Sequence, residues 1–218
     1  MHQSSSNIKC LIIGGGGHAK VLIDTISSRR SVQIIGILDP EKDKWNTNIL
    51  GIPVIGDDSV IPKLVSQGAN AFIVGVGSTG NNQLRRRLFE LGIQYGLEPI
   101  KAIHINSICS EAIDIGPGSQ VLPGSIINHG STIGSNVIIN TGSIIEHDCI
   151  IESHSHIATG ARLCGTVHIG ENTHIGAGAT ILQNIQIGSN VIVGAGSVVL
   201  EDIISNSIVA GVPAVPIK

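Results

Sequence analysis

The stretch Asn140–Ala161, NTGSIIEHDCIIESHSHIATGA, decides the fold of this chain. Its aliphatic residues Ile145, Ile151 and Ile157 are six places apart, and the residue four places after each is small. Neither the 3.6-residue period of a helix nor the two-residue period of a strand produces this spacing, whereas a hexapeptide β-solenoid does. The stretch therefore predicts short strands joined by turns, with three hexads in each coil.

The same spacing extends well beyond this stretch. Fifteen consecutive hexads place an aliphatic residue in phase: Ile115, Val121, Ile127, Ile133, Ile139, Ile145, Ile151, Ile157, Leu163, Ile169, Ile175, Ile181, Ile187, Val193 and Val199. We expect these residues, and the small or β-branched residue four places after each, to point into the coil. Ile103 and Cys109 already share the phase, so the coil is predicted to begin near them and to end near Ser207.

The residue between the two inward positions must point outward, because side chains alternate along a strand. Several of these outward positions are apolar: Ile126, Ile138, Ile144, Ile150, Ile192 and Val198. Apolar side chains gathered on a surface need cover. The pattern therefore predicts an interface between subunits along the coil.

Composition excludes several classes of protein. The 218 residues carry a net charge of −3, so no basic surface for nucleic acid is indicated. No apolar run approaches the roughly 18 to 20 residues that cross a bilayer, and the polar segment Met1–Asn7 does not resemble a signal peptide. The four cysteines form no close pair, which favours a reducing compartment over a disulfide or zinc framework. We therefore expect a cytoplasmic protein.

Residues before the coil alternate between strand and helix patterns. The predicted strands are 8–13, 32–38 and 71–76, and the predicted helices are 18–28, 59–67 and 81–91. Asp57 and Asp58 are expected to cap the second helix, and Gly92 to end the third. This alternation is typical of a small parallel sheet of Rossmann-like α/β type. We predict a Rossmann-like α/β domain over residues 1–98 and an all-β coil domain over residues 99–218.

The hexad phase also sorts the nine histidines. His147 lies on a turn between Glu146 and Asp148, and a carboxylate beside an imidazole fixes its tautomer and raises its basicity. That arrangement is the minimal general base. His156 and His174 are eighteen places apart and are expected to point outward on one face of the coil. His154 and His168 are interpreted as solvated histidines.

A metal site is the alternative for the histidine column. Some hexapeptide solenoids hold zinc with three histidines across a subunit boundary, and histidine is a common zinc ligand. His129 lies one coil before His147, but the next residue of this column is Gly165. A zinc hydratase is therefore disfavoured, and no metal is expected.

The run Gly14–Gly17 follows a predicted strand and opens a predicted helix. Backbone N–H groups at such a turn, together with the helix N-terminus, suit a phosphate or diphosphate. Asp39 ends the second strand, where an acidic residue often meets a ribose hydroxyl. A tight turn without a ligand remains the alternative, since a glycine-rich turn alone is a weak signal.

Together these motifs resemble a known family. The signature is a strand followed by Gly-Gly-Gly-Gly-His-Ala-Lys, then Asn140–Cys149 and Ser155–Ala161 within unbroken hexads, and a Gly-Val-Pro-Ala tail. It is similar to the bacterial hexapeptide-repeat sugar acetyltransferases. These include the nucleotide-4-amino-sugar N-acetyltransferases of bacillosamine and perosamine type and the sialic acid O-acetyltransferases. The resemblance covers nearly the whole chain from Ile8.

The resemblance implies a left-handed parallel β-helix, a homotrimer, a role in glycan biosynthesis and acetyl-CoA as acetyl donor. Matched residue by residue, it implies His147 as the catalytic base and Asp148 as the carboxylate that raises its basicity. The positions matched to CoA contacts are His156, Ala177 and Ala195. Those matched to nucleotide-sugar contacts are Gly16, Gly17, His18, Asp39 and Gly77.

The reaction implied is N-acetylation of the C4 amine of a nucleotide-linked 4-amino-4,6-dideoxy sugar. O-acetylation of sialic acid or a related sugar, with the same base, is the alternative. A non-catalytic nucleotide-sugar sensor or scaffold is a further one. No acyl-enzyme is expected, because Cys149 occupies an inward position of its hexad.

Overall fold

The computed structural model describes residues 8–28 and 32–217. Residues 1–7, from which the absence of a signal peptide was predicted, lie outside the described residues. The chain divides into two compact units, the first comprising residues up to Val76 together with Leu88–Ile100, and the second comprising Gly77–Arg87 and the chain from Lys101 onward. Within the described residues no helix is both long and apolar enough to span a bilayer.

The first unit is an α/β sheet with helices. Its elements are β1 (Lys9–Ile13), α1 (Gly17–Ser27), β2 (Gln33–Leu38), a 3₁₀ helix (Lys42–Lys44), β3 (Asn48–Ile49), β4 (Ile52–Gly56), a second 3₁₀ helix (Asp58–Val60), α2 (Ile61–Ser66), β5 (Ala71–Val74), α3 (Gln83–Gln94), whose first turns belong to the second unit, and β6 (Glu98–Pro99). The strand order is β3-β4-β2-β1-β5-β6, and only β3 runs antiparallel to its neighbour. The central strands β1 and β5 are buried almost throughout, as parallel strands covered on both faces must be.

Two predicted helix boundaries need correction. The end of α3 at Gly92 is wrong, because the helix continues to Gln94 and the left-handed residue that follows is Gly96, with a φ of 74°. Gly92 is needed for packing instead, since a Cβ there would collide with the ring of Phe72. The single helix predicted over 59–67 is a 3₁₀ turn followed by α2, with Asp57 accepting the N–H of Ser59 as its cap.

The second unit is a three-sided parallel coil. The first face consists of β7 (Ala102–Ile103), β10 (Gln120–Val121), β13 (Ile138–Ile139), β16 (His156–Ile157), β19 (His174–Ile175), β22 (Ile192–Val193) and β24 (Ile208–Ala210), and β25 (Val215–Pro216) pairs antiparallel with β24. The second face consists of β8 (Ile108–Cys109), β11 (Ile126–Ile127), β14 (Ile144–Ile145), β17 (Arg162–Leu163), β20 (Thr180–Ile181) and β23 (Val198–Val199). The third face consists of β9 (Asp114–Ile115), β12 (Thr132–Ile133), β15 (Ile150–Ile151), β18 (His168–Ile169) and β21 (Gln186–Ile187).

The hexad phase is confirmed. All fifteen aliphatic residues in phase are buried in one continuous core, and each strand from β7 to β20 pairs with the strand eighteen residues on. The fold class, an α/β domain followed by a left-handed parallel β-helix, is confirmed. After Val199 the coil shortens, because Val209 pairs with Val193 at a spacing of sixteen residues.

The outward positions are not equally exposed. Ile150 on the third face is 48% exposed, and Ile126 and Ile144 on the second face are half-buried. Ile138 on the first face is fully buried within a single chain, so its expected place in a subunit interface is wrong. The first face carries the chain's own segment Gly77–Arg87, which covers it without a partner.

Candidate active site

The turn between the second and third faces, here called the second corner, carries Glu146, His147 and Asp148. The hexad turn needs one left-handed residue, and Asp148 fills that position with a φ of 57°. Aspartate tolerates this region better than most residues other than glycine. The N–H of Asp148 donates to the carbonyl of His129 at 3.0 Å, and the hydroxyl of Ser131 donates to the carbonyl of Glu146 at 2.8 Å. The turn is thus fixed by the coil beneath it.

His147 and Asp148 form a close, exposed pair. Nδ1 of His147 lies 2.8 Å from Oδ2 of Asp148, and the two side chains are 59% and 60% exposed. A carboxylate accepts a hydrogen bond and cannot donate one, so it holds the proton on Nδ1 and leaves Nε2 as the basic nitrogen. The pair predicted from the sequence is therefore present, with its basic nitrogen available to a substrate.

Gly165 provides the space for the His147 ring. A Cβ built on Gly165 would lie 2.5 Å from Nε2 and 2.6 Å from Cε1 of His147. Any other residue would move the ring or itself be displaced. The sequence contains this signal, because Gly165 interrupts the column after His129 and His147. From the sequence this glycine indicates only a missing metal ligand, and the structure adds that it makes room for the ring.

Two further groups at the second corner have structural partners. Nδ2 of Asn128 donates to Oε2 of Glu146 at 2.9 Å. The Cys149 thiol is fully buried and lies 3.2 Å from the carbonyl of Cys164, and burial raises its pKa to about 11. A thiol so protonated and so enclosed is a poor nucleophile.

The positions matched to CoA contacts lie elsewhere on the coil. Ala177 and Ala195 are exposed and stack on the turn between the first and second faces, here called the first corner, where the N–H of Gly196 donates to the carbonyl of Ala177 at 2.8 Å. His156 projects from the first face and is 5% exposed. The structure therefore places Ala177 and Ala195 on a different edge of the coil from His147.

The glycine run of the first unit has open space in front of it. Gly16 and Gly17 are exposed, and a Cβ on either would meet no atom within 4 Å. Gly16 caps α1 in extended conformation, and His18 is half-buried in the first turn. Gly14 instead packs closely, since its Cβ would strike Val76. The exposed part of the run thus offers N–H groups to an anion.

Asp39 is buried behind this run. Its Oδ2 accepts the N–H of Gly15 at 2.9 Å and the ammonium of Lys44 at 3.2 Å, and its Oδ1 accepts the N–H of Glu41 at 2.9 Å. Burial alone would raise the pKa of Asp39, but the N–H groups of Glu41 and Gly15 and the Lys44 ammonium outweigh it and hold that pKa below its usual value. The carboxylate therefore shapes the glycine run.

Gly77, the remaining residue matched to a nucleotide-sugar contact, begins the segment Gly77–Arg87, which belongs to the second unit.

Across residues 8–28 and 32–217, no three side chains of His, Cys, Asp or Glu come together as a metal site would require.

Comparison with protein families matches both parts of the chain. Residues 9–91 match the PglD N-terminal domain, and residues 130–165 and 166–201 each match the bacterial transferase hexapeptide family, in units of six repeats. Among proteins with curated functions, none is matched.

Solved structures match over nearly the full length. A histidine-to-asparagine variant of perosamine N-acetyltransferase from Caulobacter crescentus, in complex with CoA and GDP-perosamine, is 36% identical, with a TM-score of 0.90 over 96% of this chain and 97% of that one. The acetyltransferase domain of PglB from Neisseria gonorrhoeae FA1090, in complex with acetyl coenzyme A, is 35% identical, with a TM-score of 0.89 over 97% and 100%. WeeI from Acinetobacter baumannii AYE, at 24% identity and a TM-score of 0.85 over 97% and 100%, shares the fold.

The family assignment rests on two relatives above 30% identity. The unbroken hexad coil and the exposed His147–Asp148 turn agree with it. The chain belongs to the bacterial hexapeptide-repeat sugar acetyltransferases that carry a PglD-type N-terminal domain.

Proposed function

We propose that this protein transfers the acetyl group of acetyl-CoA to the C4 amine of a nucleotide-linked 4-amino-4,6-dideoxy sugar. The observation that carries the proposal is the exposed pair of His147 and Asp148, with Nδ1 and Oδ2 2.8 Å apart and Nε2 left basic. The relatives support this choice of donor and acceptor, since one was solved with CoA and GDP-perosamine and another with acetyl coenzyme A.

The chemistry is direct transfer in a ternary complex. The amine nitrogen attacks the thioester carbonyl, a carbon–nitrogen bond forms, and the carbon–sulfur bond breaks as the tetrahedral intermediate collapses. Nε2 of His147 takes a proton from the nitrogen and returns it to the departing thiolate, while Asp148 stabilises the imidazolium. General base catalysis of this kind is worth about 10²- to 10⁴-fold, and holding both substrates in place adds further acceleration.

Each substrate has its own proposed contacts. Gly16, Gly17 and His18, with Asp39 behind them, form the diphosphate and ribose end of the nucleotide-sugar site, and Gly77 belongs to the same set. The open space in front of Gly16 and Gly17 supports this assignment. His156, Ala177 and Ala195 contact acetyl-CoA.

The enzyme is proposed to act as a homotrimer. The base and two of the CoA contacts lie on different corners of one coil, so a neighbouring copy is needed to bring a first corner to a second corner. The partly exposed isoleucines of the second and third faces, Ile126, Ile144 and Ile150, suit such an interface.

A cytoplasmic location is also proposed. All four cysteines are free, and none forms a disulfide. Reduced, unpaired cysteines are typical of a reducing compartment.

The test is thiol release from acetyl-CoA with purified protein and a panel of acceptors. The panel holds UDP-, GDP- and dTDP-linked 4-amino-4,6-dideoxy sugars and sialic acid. We expect release with at least one 4-amino nucleotide sugar, with an N-acetyl product of matching amount by mass spectrometry. Release with sialic acid alone would transfer the protein to O-acetylation, and binding of nucleotide sugar without any release would favour a sensor.

A further inference from the structure

His156 is a buried histidine whose two ring nitrogens both have protein partners. Nε2 lies 3.0 Å from Nδ2 of Asn140. Nδ1 lies 2.8 Å from the hydroxyl and 3.1 Å from the carbonyl oxygen of Ser78. The imidazole therefore bridges the first corner of the coil and the segment Gly77–Arg87.

The partners fix the protonation state of this ring. The N–H of Thr141 donates to Oδ1 of Asn140 at 2.8 Å, which leaves Nδ2 of Asn140 as the donor to His156. Nε2 must then be an acceptor without a proton. The carbonyl of Ser78 can only accept, so Nδ1 carries the proton. Two independent constraints thus assign the neutral Nδ1–H tautomer.

The surroundings of His156 favour the same state. The ring of His174 packs edge-on with its centroid 4.9 Å away, and burial lowers the pKa of His174. The lowered pKa favours the neutral form of the His174 ring, and Asn140 and Ser78, which hydrogen-bond to His156, are uncharged. A neutral imidazole that donates and accepts at once is a clamp and is poorly suited to take a proton.

The segment Gly77–Arg87 contacts the coil at several points, including the hydrogen bond from Nε of the buried Arg85 to the carbonyl of Asn136 at 3.3 Å. Further along, Nδ2 of Asn82 donates to the carbonyl of Thr173 at 3.1 Å, and Nη1 of Arg86 lies 3.5 Å from Oε1 of Glu171. Within the described residues, His156 is the coil residue that hydrogen-bonds to Ser78, which is next to Gly77. The position of Gly77 therefore depends on His156 more directly than on the later ties.

We propose that His156, as the neutral Nδ1–H imidazole, is a positioning residue for the acceptor: it clamps Ser78 to the coil and so sets the place of Gly77. This rests on the proposed function, in which Gly77 belongs to the nucleotide-sugar site. His156 consequently serves both substrates, because the residue proposed to contact acetyl-CoA also holds part of the acceptor site.

Kinetics of three variants test the proposal. His156→Ala removes both hydrogen bonds, and we expect the KM for the nucleotide sugar to rise about tenfold, the loss that corresponds to one or two such bonds. His156→Gln keeps one donor and one acceptor, and its KM for the nucleotide sugar should stay within about threefold of the wild-type value. His168→Gln, the same change on the third face, is the control and should leave KM unchanged. Melting temperature and trimer mass are recorded for each.

The outcomes separate the inference from the function on which it rests. An unchanged acceptor KM in His156→Ala, or an equal rise in His156→Gln, overturns the clamp while acetyl transfer stands. If His156→Ala does not fold, Asn140→Ala gives a milder test, because it removes the hydrogen bond that fixes the ring and its tautomer, and a smaller rise in the KM for the nucleotide sugar is expected. Nitrogen-15 NMR of histidine-labelled wild-type protein reads the tautomer without any substrate. A proton on Nε2 of His156 overturns the assignment even if no acceptor in the panel is used.

Discussion

The second corner and the first face use the same residue type in opposite ways. His147 on the corner is 59% exposed, has a carboxylate on one nitrogen and leaves the other free. His156 on the face is 5% exposed and has neutral partners on both nitrogens. Both rings occupy places dictated by the hexad phase. What separates a base from a clamp is therefore whether one nitrogen remains unoccupied.

The largest loss of activity is expected from the variant that removes Nε2 of His147. His147→Ala should lower kcat by about 10²- to 10⁴-fold, the usual worth of a general base. Because the ring is exposed at a turn, the melting temperature should change little. Turnover measured by thiol release, with CoA affinity measured by titration calorimetry, checks both. Activity within a few-fold of the wild type would remove His147 from the mechanism.

A smaller loss is expected from crowding the same nitrogen. Gly165→Ala places a methyl group where only 2.5 Å separates it from Nε2 of His147, so the ring must turn away. A displacement of about 1 Å can cost roughly 10²-fold, and kcat should fall by that order. Gln183→Ala, in the same column one coil further on, is the matched control.

A double variant sharpens the argument for Gly165. In a His147→Ala background, Gly165→Ala should cost nothing more, because the ring that it displaces is absent. An additional hundredfold loss in the double variant would mean that Gly165 acts independently of His147.

Asp39, like His156, has hydrogen-bond partners on all its side-chain polar atoms. Its substitution should therefore change the kinetics less than the changes at His147 and Gly165. Asp39→Asn replaces an acceptor oxygen by a donor among three donors, so the glycine run should shift and the KM for the nucleotide sugar should rise about tenfold. CoA affinity should not change. Steady-state kinetics with each substrate varied in turn decides this, and an equal rise in the KM for acetyl-CoA would contradict the placement.

The same carboxylate gives a prediction for stability against pH. The pKa of Asp39 is held below its usual value in the folded protein, so its carboxylate stabilises the fold at pH values above the ordinary carboxyl range. That contribution is lost as pH falls through the lowered pKa. The gap in melting temperature between the wild type and Asp39→Asn should therefore narrow in acid, and a constant gap would contradict it.

The smallest change in activity is expected at Cys149, two residues after His147. Cys149 is enclosed in the coil, and alanine already occupies the equivalent inward position at Ala161 and Ala179. Cys149→Ala should keep kcat within about threefold. An acetylated Cys149 peptide after a burst of acetyl-CoA, sought by mass spectrometry, would show that the enclosed thiol is not inert.

Much of the coil follows from local sequence alone. The period of six predicted every inward position, and the phase of His147 put it on a turn beside Asp148, as the structure has it. These features depend only on nearest neighbours and on the coil directly below. A repeat sequence contains that information many times over.

The remaining features depend on contacts that no period encodes. Ile138 and His156 are buried on the first face, where the segment Gly77–Arg87 from outside the repeat hydrogen-bonds to the coil, and nothing in the pattern of that segment predicts that it packs there. Gly92 was predicted to end a helix but makes room for Phe72 twenty residues earlier. The place of Asp39 after a strand indicates a ribose contact, but it gives no sign that both carboxylate oxygens accept hydrogen bonds from Gly15, Glu41 and Lys44 of the same domain.

The most direct test of the central claim is the pH dependence of kcat/KM for the wild type and for His147→Ala with the same 4-amino nucleotide sugar. Ionisation of the acceptor amine affects both proteins alike, so the difference reports the enzyme. We expect the wild type to show an additional acid limb that the residual rate of the variant lacks, because a general base acts only in its unprotonated form. Two profiles of identical shape, differing only in height, would contradict His147 as the base.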